Sequence, residues 1–593
     1  MEVKLSDLKS ASMSEIQEFF KEKSVFITGA TGFLGHVLLS KLLRSCPDIE
    51  EIYLLLREKK GKTPTDRFND LLEDEVFKII KEECPKSLLK IRPISGDCLK
   101  SGLGITAADK ETLKNRVNVI FHVAATVRFD APIRDAAHMN IRSTSDLLDL
   151  AHEIKNLKAF VHVSTAFSNC VGRNVVEEKL YDSPISPMNL LTLVDTLDED
   201  VLERITPGLL GNYPNTYVFT KAVAEEVCRL KGSDLPLAIF RPAIVISSQK
   251  EPIPGWINNV YGPTGVVAGA AVGLLRVLYI EQSSKANVVP CDFVVNAAIA
   301  SAWSVGTRDN ELEFTATNNE ATKIMTKNLT SDSFQNGCLP KTTISHGNIS
   351  DNYSTDGNIH ESDFKLINGI TTNRRCDSKT TKSNGISLNN SVSVETTKKI
   401  PVYNFTCDLM DKPFTWKDFM KNNEIHEPQM PSSVSIWAYS LLFCRYKSLY
   451  KFYCFLFHLC PALIADNVAK LLGKKPKLMD AYTRVHKLVE VLSYFSTREW
   501  KMTNDNVHFL WGRLSEADKQ LFNFDLNSID WTDYFRIHCV GIRQFILKEN
   551  VDTIPEAMKR RKKLVFAHYS LLSAITFLSA YVLLNFLRRF IPV

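Results

Sequence analysis

Tyr217 and Lys221 stand four residues apart in Tyr217-Val218-Phe219-Thr220-Lys221, a separation that puts both side chains on one face of a helix. An ammonium beside a phenol favours phenolate, so the pair has the makings of a tyrosine acid and base tuned by lysine. A hydroxyl to hold a reacting carbonyl oxygen is offered by Val163-Ser164-Thr165-Ala166-Phe167, where either Ser164 or Thr165 is placed to donate and Thr165 is preferred. Tyr-x-x-x-Lys alone is common by chance. It gains weight from standing downstream of Thr28-Gly29-Ala30-Thr31-Gly32-Phe33-Leu34-Gly35.

Glycines at 29, 32 and 35 permit a tight turn, close approach of backbone to a pyrophosphate, and close helix-to-strand packing. The turn lies between an apolar run, Ser24 to Thr28, and a helical pattern, Phe33 to Arg44, so the helix start faces the phosphates. The second strand ends in Arg57 rather than in an acid that would hold a ribose 2′-hydroxyl. Arginine there neutralises a 2′-phosphate, which favours NADPH over NADH. Asp97 is placed to meet the adenine edge, and Ala124, Ala125 and Thr126 to line the cofactor after another strand.

These residues need a scaffold, and the apolar runs at 52–56, 117–125, 160–164 and 237–240 alternate with helical patterns. Such alternation predicts an α/β fold with a doubly wound parallel Rossmann sheet over residues 20–320. The run at 237–240 ends in Arg241-Pro242, where proline does not extend a ladder. From 321 to 400 the composition turns to Ser, Thr, Asn and Lys, which reads as a disordered polar insertion. The strand pattern returns at Val402 to Phe405, within 401–425. Sequons at Asn328, Asn348, Asn352, Asn389 and Asn404 are read as chance products of composition. A C-terminal helical domain is expected over 430–550, where Leu478, Tyr482, Val485, Leu488, Leu492 and Phe495 form a stripe expected to be core rather than ligand groove. Ser433–Cys444 and Phe452–Ala465 are apolar pieces, each too short to cross a bilayer. Membrane-surface helices and a buried helical pair fit them equally.

The 593 residues carry a formal net charge of +5, too little over this length to grip nucleic acid. Thirteen dispersed cysteines without a Cys-x-x-Cys pair predict neither a disulfide framework nor a metal site. Cys98, Cys170, Cys228 and Cys291 read as small core residues, and His122 and His162 as packing residues of buried strands. Charges scattered through residues 1–23 break any signal-peptide core. By contrast, Leu564–Leu587 holds 24 residues without a charged side chain, long enough for a transmembrane helix. Five basic residues, Lys559 to Lys563, precede it and two follow, which places the preceding chain in the cytosol as a single-pass, tail-anchored protein.

TGATGFLG at 28–35, HVAATVRFD at 122–130, HVSTAF at 162–167, YVFTK at 217–221, RPAIV at 241–245, PGWINNVYGPTG at 254–265 and VPCDFVVNA at 289–297 resemble the extended short-chain dehydrogenase/reductases. More narrowly they resemble the alcohol-forming fatty acyl-CoA reductases, and HKLVEVLSYFSTREW at 486–500, FNFDLNSIDW at 522–531 and YFRIHCVGIR at 534–543 are similar to that family's helical region. The polar insertion departs from the family pattern, and Phe167 stands where tyrosine is more usual. The resemblance implies NADPH-dependent reduction of a long-chain acyl-CoA to a primary alcohol by two hydride transfers. Lys221 would hold the nicotinamide ribose, Tyr217 would protonate the new oxygen, Thr165 or Ser164 would hold it, and Pro242 and Ile244 would border the cofactor. It also implies an endoplasmic reticulum or peroxisomal membrane, the former preferred, where an alcohol product partitions at about 0.8 kcal/mol per buried methylene. Two other readings stay open: a related oxidoreductase acting on a sterol or nucleotide sugar, and an acyl-CoA-binding membrane tether without turnover. Residues 168–216 exceed a minimal connection and read as an added substrate loop, which fits a bulky thioester.

Overall fold

The computed structural model describes residues 14–307 and 399–590. The expected polar insertion lies outside the described residues except at its last two positions, as do the sequons at Asn328, Asn348, Asn352 and Asn389.

Seven strands form one parallel sheet among the described residues: β1 (Ser24–Thr28), β2 (Ile52–Leu56), β3 (Ile91–Ser95), β4 (Val117–His122), β5 (Ala159–Val163), β6 (Leu237–Pro242) and β7 (Val402–Phe405). Their order is β7-β6-β5-β4-β1-β2-β3, reversing between β1 and β4. At that reversal a crevice opens beyond the carboxyl ends of the strands, where doubly wound sheets place ligands. Val25 of β1 stands beside Ile52 of β2 and Val119 of β4, and β1, β2 and β5 are buried along their whole length. Two covered faces explain the near-continuous apolar runs.

Successive residues feed opposite faces, with Val25, Ile27, Phe121 and Phe240 in one core and Phe26, Ile120, Phe160 and Ile239 in the other. The first face is covered by α1 (Phe33–Ser45) and by Val489, Phe495, Val507, Phe522 and Phe535 from the C-terminal part. The second is covered by α2 (Ser143–Glu153) and by Phe219, Val223 and Val227 of α3 (Thr216–Lys231). The C-terminal helices thus share the sheet's own core.

Two strand expectations need correction. β3 was not foreseen, because Ile91-Arg92-Pro93-Ile94-Ser95 buries only its isoleucines and carries a proline. An edge strand tolerates both, since one side faces water and the missing N–H has no ladder partner to fail. Pro242 does not lie beyond the ladder. It pairs with Phe405, and its carbonyl still accepts the Ala166 N–H at 3.0 Å.

In the C-terminal part, Ser433–Cys444 is not a helix. Residues 431–441 are irregular, and Leu442–Cys444 pairs in parallel with Val277–Tyr279. Phe452–Ala465 falls inside one unbroken helical run, Lys447–Leu471, whose 25 residues have the length and apolarity to cross a membrane, contrary to the expected short piece. It is followed by α4 (Leu478–Ser496) and later by α5 (Ile554–Phe590), which contains the whole uncharged stretch and leaves it exposed.

A buried ion pair ties the carboxyl end of the sheet together. Arg241 of β6 donates to both Glu225 carboxylate oxygens at 2.9 and 2.7 Å, with both side chains at most 2% exposed. The guanidinium also donates to the carbonyls of Glu177 and Lys179, and at 3.4 Å to Asn404 Oδ1. Asn404 is fully buried and donates to the Val176 and Thr503 carbonyls, so its sequon is closed to modification in the folded chain. Glu225→Ala would strand a buried guanidinium, a loss of about 3–5 kcal/mol. Denaturant unfolding of the detergent-solubilised protein measures it, and a shift below about 1 kcal/mol would show that the pair is not structural.

Candidate active site

The turn after β1 needs glycine for two separate reasons. Gly29 has φ +78°, and a Cβ there would stand 2.6 Å from the Ala124 backbone nitrogen just after β4. A Cβ on Gly35 would stand 2.2 Å from the Gly29 carbonyl oxygen, so the first turn of α1 closes onto the loop only without one. Gly32 caps α1 with no side chain over the helix start, and its N–H donates to the Gly29 carbonyl at 2.8 Å. The free N–H groups of Phe33, Leu34 and Gly35 then face a cradle suited to a pyrophosphate. The residues present fit a dinucleotide.

His122 locks this turn to β4. Thr144 Oγ1 donates to the Asn140 carbonyl, so it accepts from His122 Nε2–H at 3.0 Å, which leaves Nδ1 to accept from Thr28 Oγ1–H at 2.8 Å. Thr28 Oγ1 in turn accepts the Ala124 N–H at 3.3 Å. Burial, with the Lys221 charge adding to it, pushes the His122 pKa down to about 3, and His162 falls well below the usual range for the same two reasons. Both imidazoles are neutral packing groups. Burial pushes the Cys98 and Cys170 thiols up to about 12 and raises those of Cys228 and Cys291 further.

At the end of β2, Arg57 lies 3.7 Å from Asp97. Arg67, which sequence reasoning missed, donates to the Arg57 carbonyl at 2.8 Å and to Thr31 Oγ1 at 2.7 Å, so it bridges the glycine turn and the strand end. Burial and then the Arg57 charge lower its pKa, and burial followed by Arg57 and Arg67 does the same to Lys59. Arg57, Lys59 and Arg67 crowd this site, with Asp97 the acid beside Arg57. Asn140, also missed, accepts the Thr126 N–H at 3.1 Å and donates to Thr220 Oγ1 at 2.9 Å, fixing the stretch after β4 to α3. A buried asparagine inside a helical stretch was its one sequence cue, since asparagine disfavours helix interiors. Ala124 is buried there, and Ala125 and Thr126 are half-buried.

On α3, Lys221 is fully buried and donates to the Val163 carbonyl at 2.7 Å; burial lowers its pKa to about 8, against smaller upward pulls from Cys228 and Glu225. Tyr217 lies one turn away, and burial raises its pKa to about 12, with a hydrogen bond from Thr165 drawing it back. The expectation that lysine draws the phenol down is therefore corrected: desolvation dominates, and one N–H of the ammonium goes to a carbonyl instead. Thr165 Oγ1 accepts the Phe167 N–H at 3.3 Å, which leaves its hydrogen for the phenol oxygen. Ser164 turns the other way. It donates to Glu225 at 2.5 Å beside Ser168 and Asn169, which donate to the same carboxylate at 2.8 Å.

Tyr217 stands in the wall of an apolar cavity of about 730 Å³, the open space at its mouth included. Phe129, Phe167, Ile244, Trp416, Phe419 and Met420 line it together with Val489, Leu492 and Phe495 of α4. The α4 stripe thus lines this cavity as well as the core, because Leu492 and Phe495 face it. Phe129 packs on Tyr217 with ring centroids 5.8 Å apart, and Phe167 meets Phe495 edge-on at 5.1 Å. Ile244, expected beside the cofactor, borders this cavity, whereas Pro242 is held in the ladder.

Residues 27–298 match a family model described as male sterility protein, and residues 457–549 match a second model of the same description. The fatty acyl-CoA reductase wat of Drosophila melanogaster is 36% identical over 99% of this chain and 96% of its own length. Fatty acyl-CoA reductase 1 of Rattus norvegicus is 33% identical over 93% of this chain and 90% of its own. The terminal R domain from the myxalamid PKS-NRPS pathway aligns at a TM-score of 0.49 with 16% identity, over 88% of this chain and 90% of that one. A glycine turn at the switch point of a parallel NAD(P)-binding Rossmann sheet, and near-full-length identity above 30%, place this chain in the fatty acyl-CoA reductase family.

Proposed function

We propose that the protein reduces long-chain fatty acyl-CoA to a primary fatty alcohol and CoA with NADPH, held to a bilayer by α5. The observation that carries this reading is the placement of the Tyr217 phenol in the wall of a cavity that is otherwise almost wholly apolar. Such a cavity accepts an acyl chain and brings its carbonyl to the one acidic hydroxyl. A nucleotide sugar would leave its many polar groups unpaired against those walls.

Each bound NADPH would supply one hydride, so the two that a thioester needs to become an alcohol would come from two cofactor molecules bound in turn. The chain's own residues manage the oxygen. Phe167 N–H, Thr165 Oγ1 and the Tyr217 hydroxyl form a relay in which each group donates to the next, so the phenol hydrogen is free to point at the substrate. With its pKa near 12 the phenol is protonated at neutral pH, as a proton donor to a developing alkoxide must be. Thr165 rather than Ser164 serves that oxygen, acting through the phenol it donates to, because the Ser164 hydroxyl is spent on Glu225. Lys221 holds ribose hydroxyls, and thiolate leaves between the two reductions without a cysteine nucleophile.

The crowd of Arg57, Lys59 and Arg67 supports a 2′-phosphate at the adenosine end, which favours NADPH. The exposed apolar run of α5 supports an anchor, with its basic flank on the cytosolic side.

Tyr217→Phe is expected to lower kcat by roughly 10²–10⁴-fold in NADPH oxidation with palmitoyl-CoA while leaving NADPH binding by fluorescence titration unchanged. Wild-type turnover in that variant would remove the phenol from the mechanism. Arg67→Ala should lower the NADPH-over-NADH ratio of kcat/KM by roughly 10- to 100-fold, the worth of one or two charge-assisted hydrogen bonds. An unchanged ratio would place the 2′-phosphate elsewhere. Because burial holds Lys221 near 8, its ammonium is lost as pH rises, so kcat/KM for NADPH should fall through about pH 8. A profile flat to pH 10 would contradict the role given to Lys221.

A further inference from the structure

The helical run Lys447–Leu471 is built inside out. Cys454, His458, Ala462 and Asp466, four residues apart, are buried, and two of them are polar. The opposite side exposes large apolar groups: Phe452, Phe455, Leu456, Leu463, Ile464 and Val468, with Ile464 at 67% and Phe455 at 55%. A helix facing water shows the reverse arrangement, apolar inward and charged outward. Its buried polar groups are fully occupied. His458 Nε2 accepts the Arg276 N–H at 3.0 Å, so its Nδ1–H donates to His486 at 2.9 Å, and Asp466 accepts three N–H groups at the start of α4. These bonds tie His458 and Asp466 to the rest of the chain, which favours a run seated on the protein over one that crosses a bilayer. The run presents an apolar side outward.

We propose that this side of Lys447–Leu471 lies in the surface of the same bilayer that α5 crosses, against anionic headgroups, an inference that rests on α5 being the anchor. Charge favours it. Between 445 and 477 seven basic residues bracket the apolar side, and the single acid, Asp466, is buried. Position favours it as well. Arg276 lies over the Phe457 ring at 5.6 Å and the Trp437 ring at 5.3 Å, and Trp437 Nε1 donates to His568, inside the uncharged stretch of α5, at 3.0 Å. Tryptophan favours the membrane–water boundary, so this chain of contacts sets the run at the level where α5 enters lipid. The strand Val277–Tyr279 joins the surface to chemistry, since Val277 packs on Cys454 while Leu278 lines the acyl cavity.

Full-length protein in vesicles of phosphatidylcholine and phosphatidylserine tests this with p-benzoylphenylalanine at one of four positions: Phe455, Ile464, Phe509 or Leu572. Phe509 is exposed on the helix Asp505–Arg513, which packs beside β7, and Leu572 lies in the exposed run of α5. After irradiation, mass spectrometry is expected to find acyl-chain adducts at 455, 464 and 572 and at most a tenth as much at 509. Adducts at 572 without any at 455 and 464 would overturn the inference and leave the anchor standing. No adducts at 572 would remove the anchor reading itself. Equal labelling at 509, or cross-links from 455 and 464 to a second copy of the chain, would also overturn it.

Discussion

Glu225 and Arg241 form the contact on which the carboxyl end of the sheet depends. A buried ion pair adds little net stability over an apolar pair of equal size, because desolvation offsets most of the attraction. Its value here lies in direction. The carboxylate collects Ser164, Ser168 and Asn169, and the guanidinium collects the carbonyls of Glu177 and Lys179. Loops that would otherwise move independently after β5 are drawn to one point. With Ser164 fixed inward, the next residue, Thr165, is left toward the phenol.

The two groups one helical turn apart on α3 are governed by the same force acting on opposite charges. Burial disfavours phenolate at Tyr217 and ammonium at Lys221, so one pKa rises to about 12 and the other falls to about 8. The apolar surroundings of the cavity are therefore also what keeps the phenol protonated. Phe129 both lines the cavity and packs on Tyr217, so a change there alters the cavity wall and the phenol's surroundings together.

Much of this was legible in the sequence where a single residue type meets a local constraint. The glycine turn, the buried strands and the Tyr-Lys spacing are of that kind, since each follows from backbone geometry within a few residues. What escaped depends on distant partners. Arg67 matters because its helix brings it back to Thr31, Glu225 because Arg241 lies on the next strand, and β3 because an edge tolerates Pro93. The α4 stripe shows the limit of periodicity. It locates an apolar side but does not say whether side chains or a ligand fill the space before it.

The last strand of the sheet is encoded far from its neighbour. β6 ends at Pro242 and β7 begins at Val402, yet the two pair along four residues. A nascent chain emerging from the ribosome therefore carries β6 as an open edge until residue 405 is free, roughly 8–33 s later at about 5–20 residues per second. Open edges recruit other strands. Translation speed through that interval, and whatever chaperone guards the edge during it, thus bears on the yield of assembled enzyme.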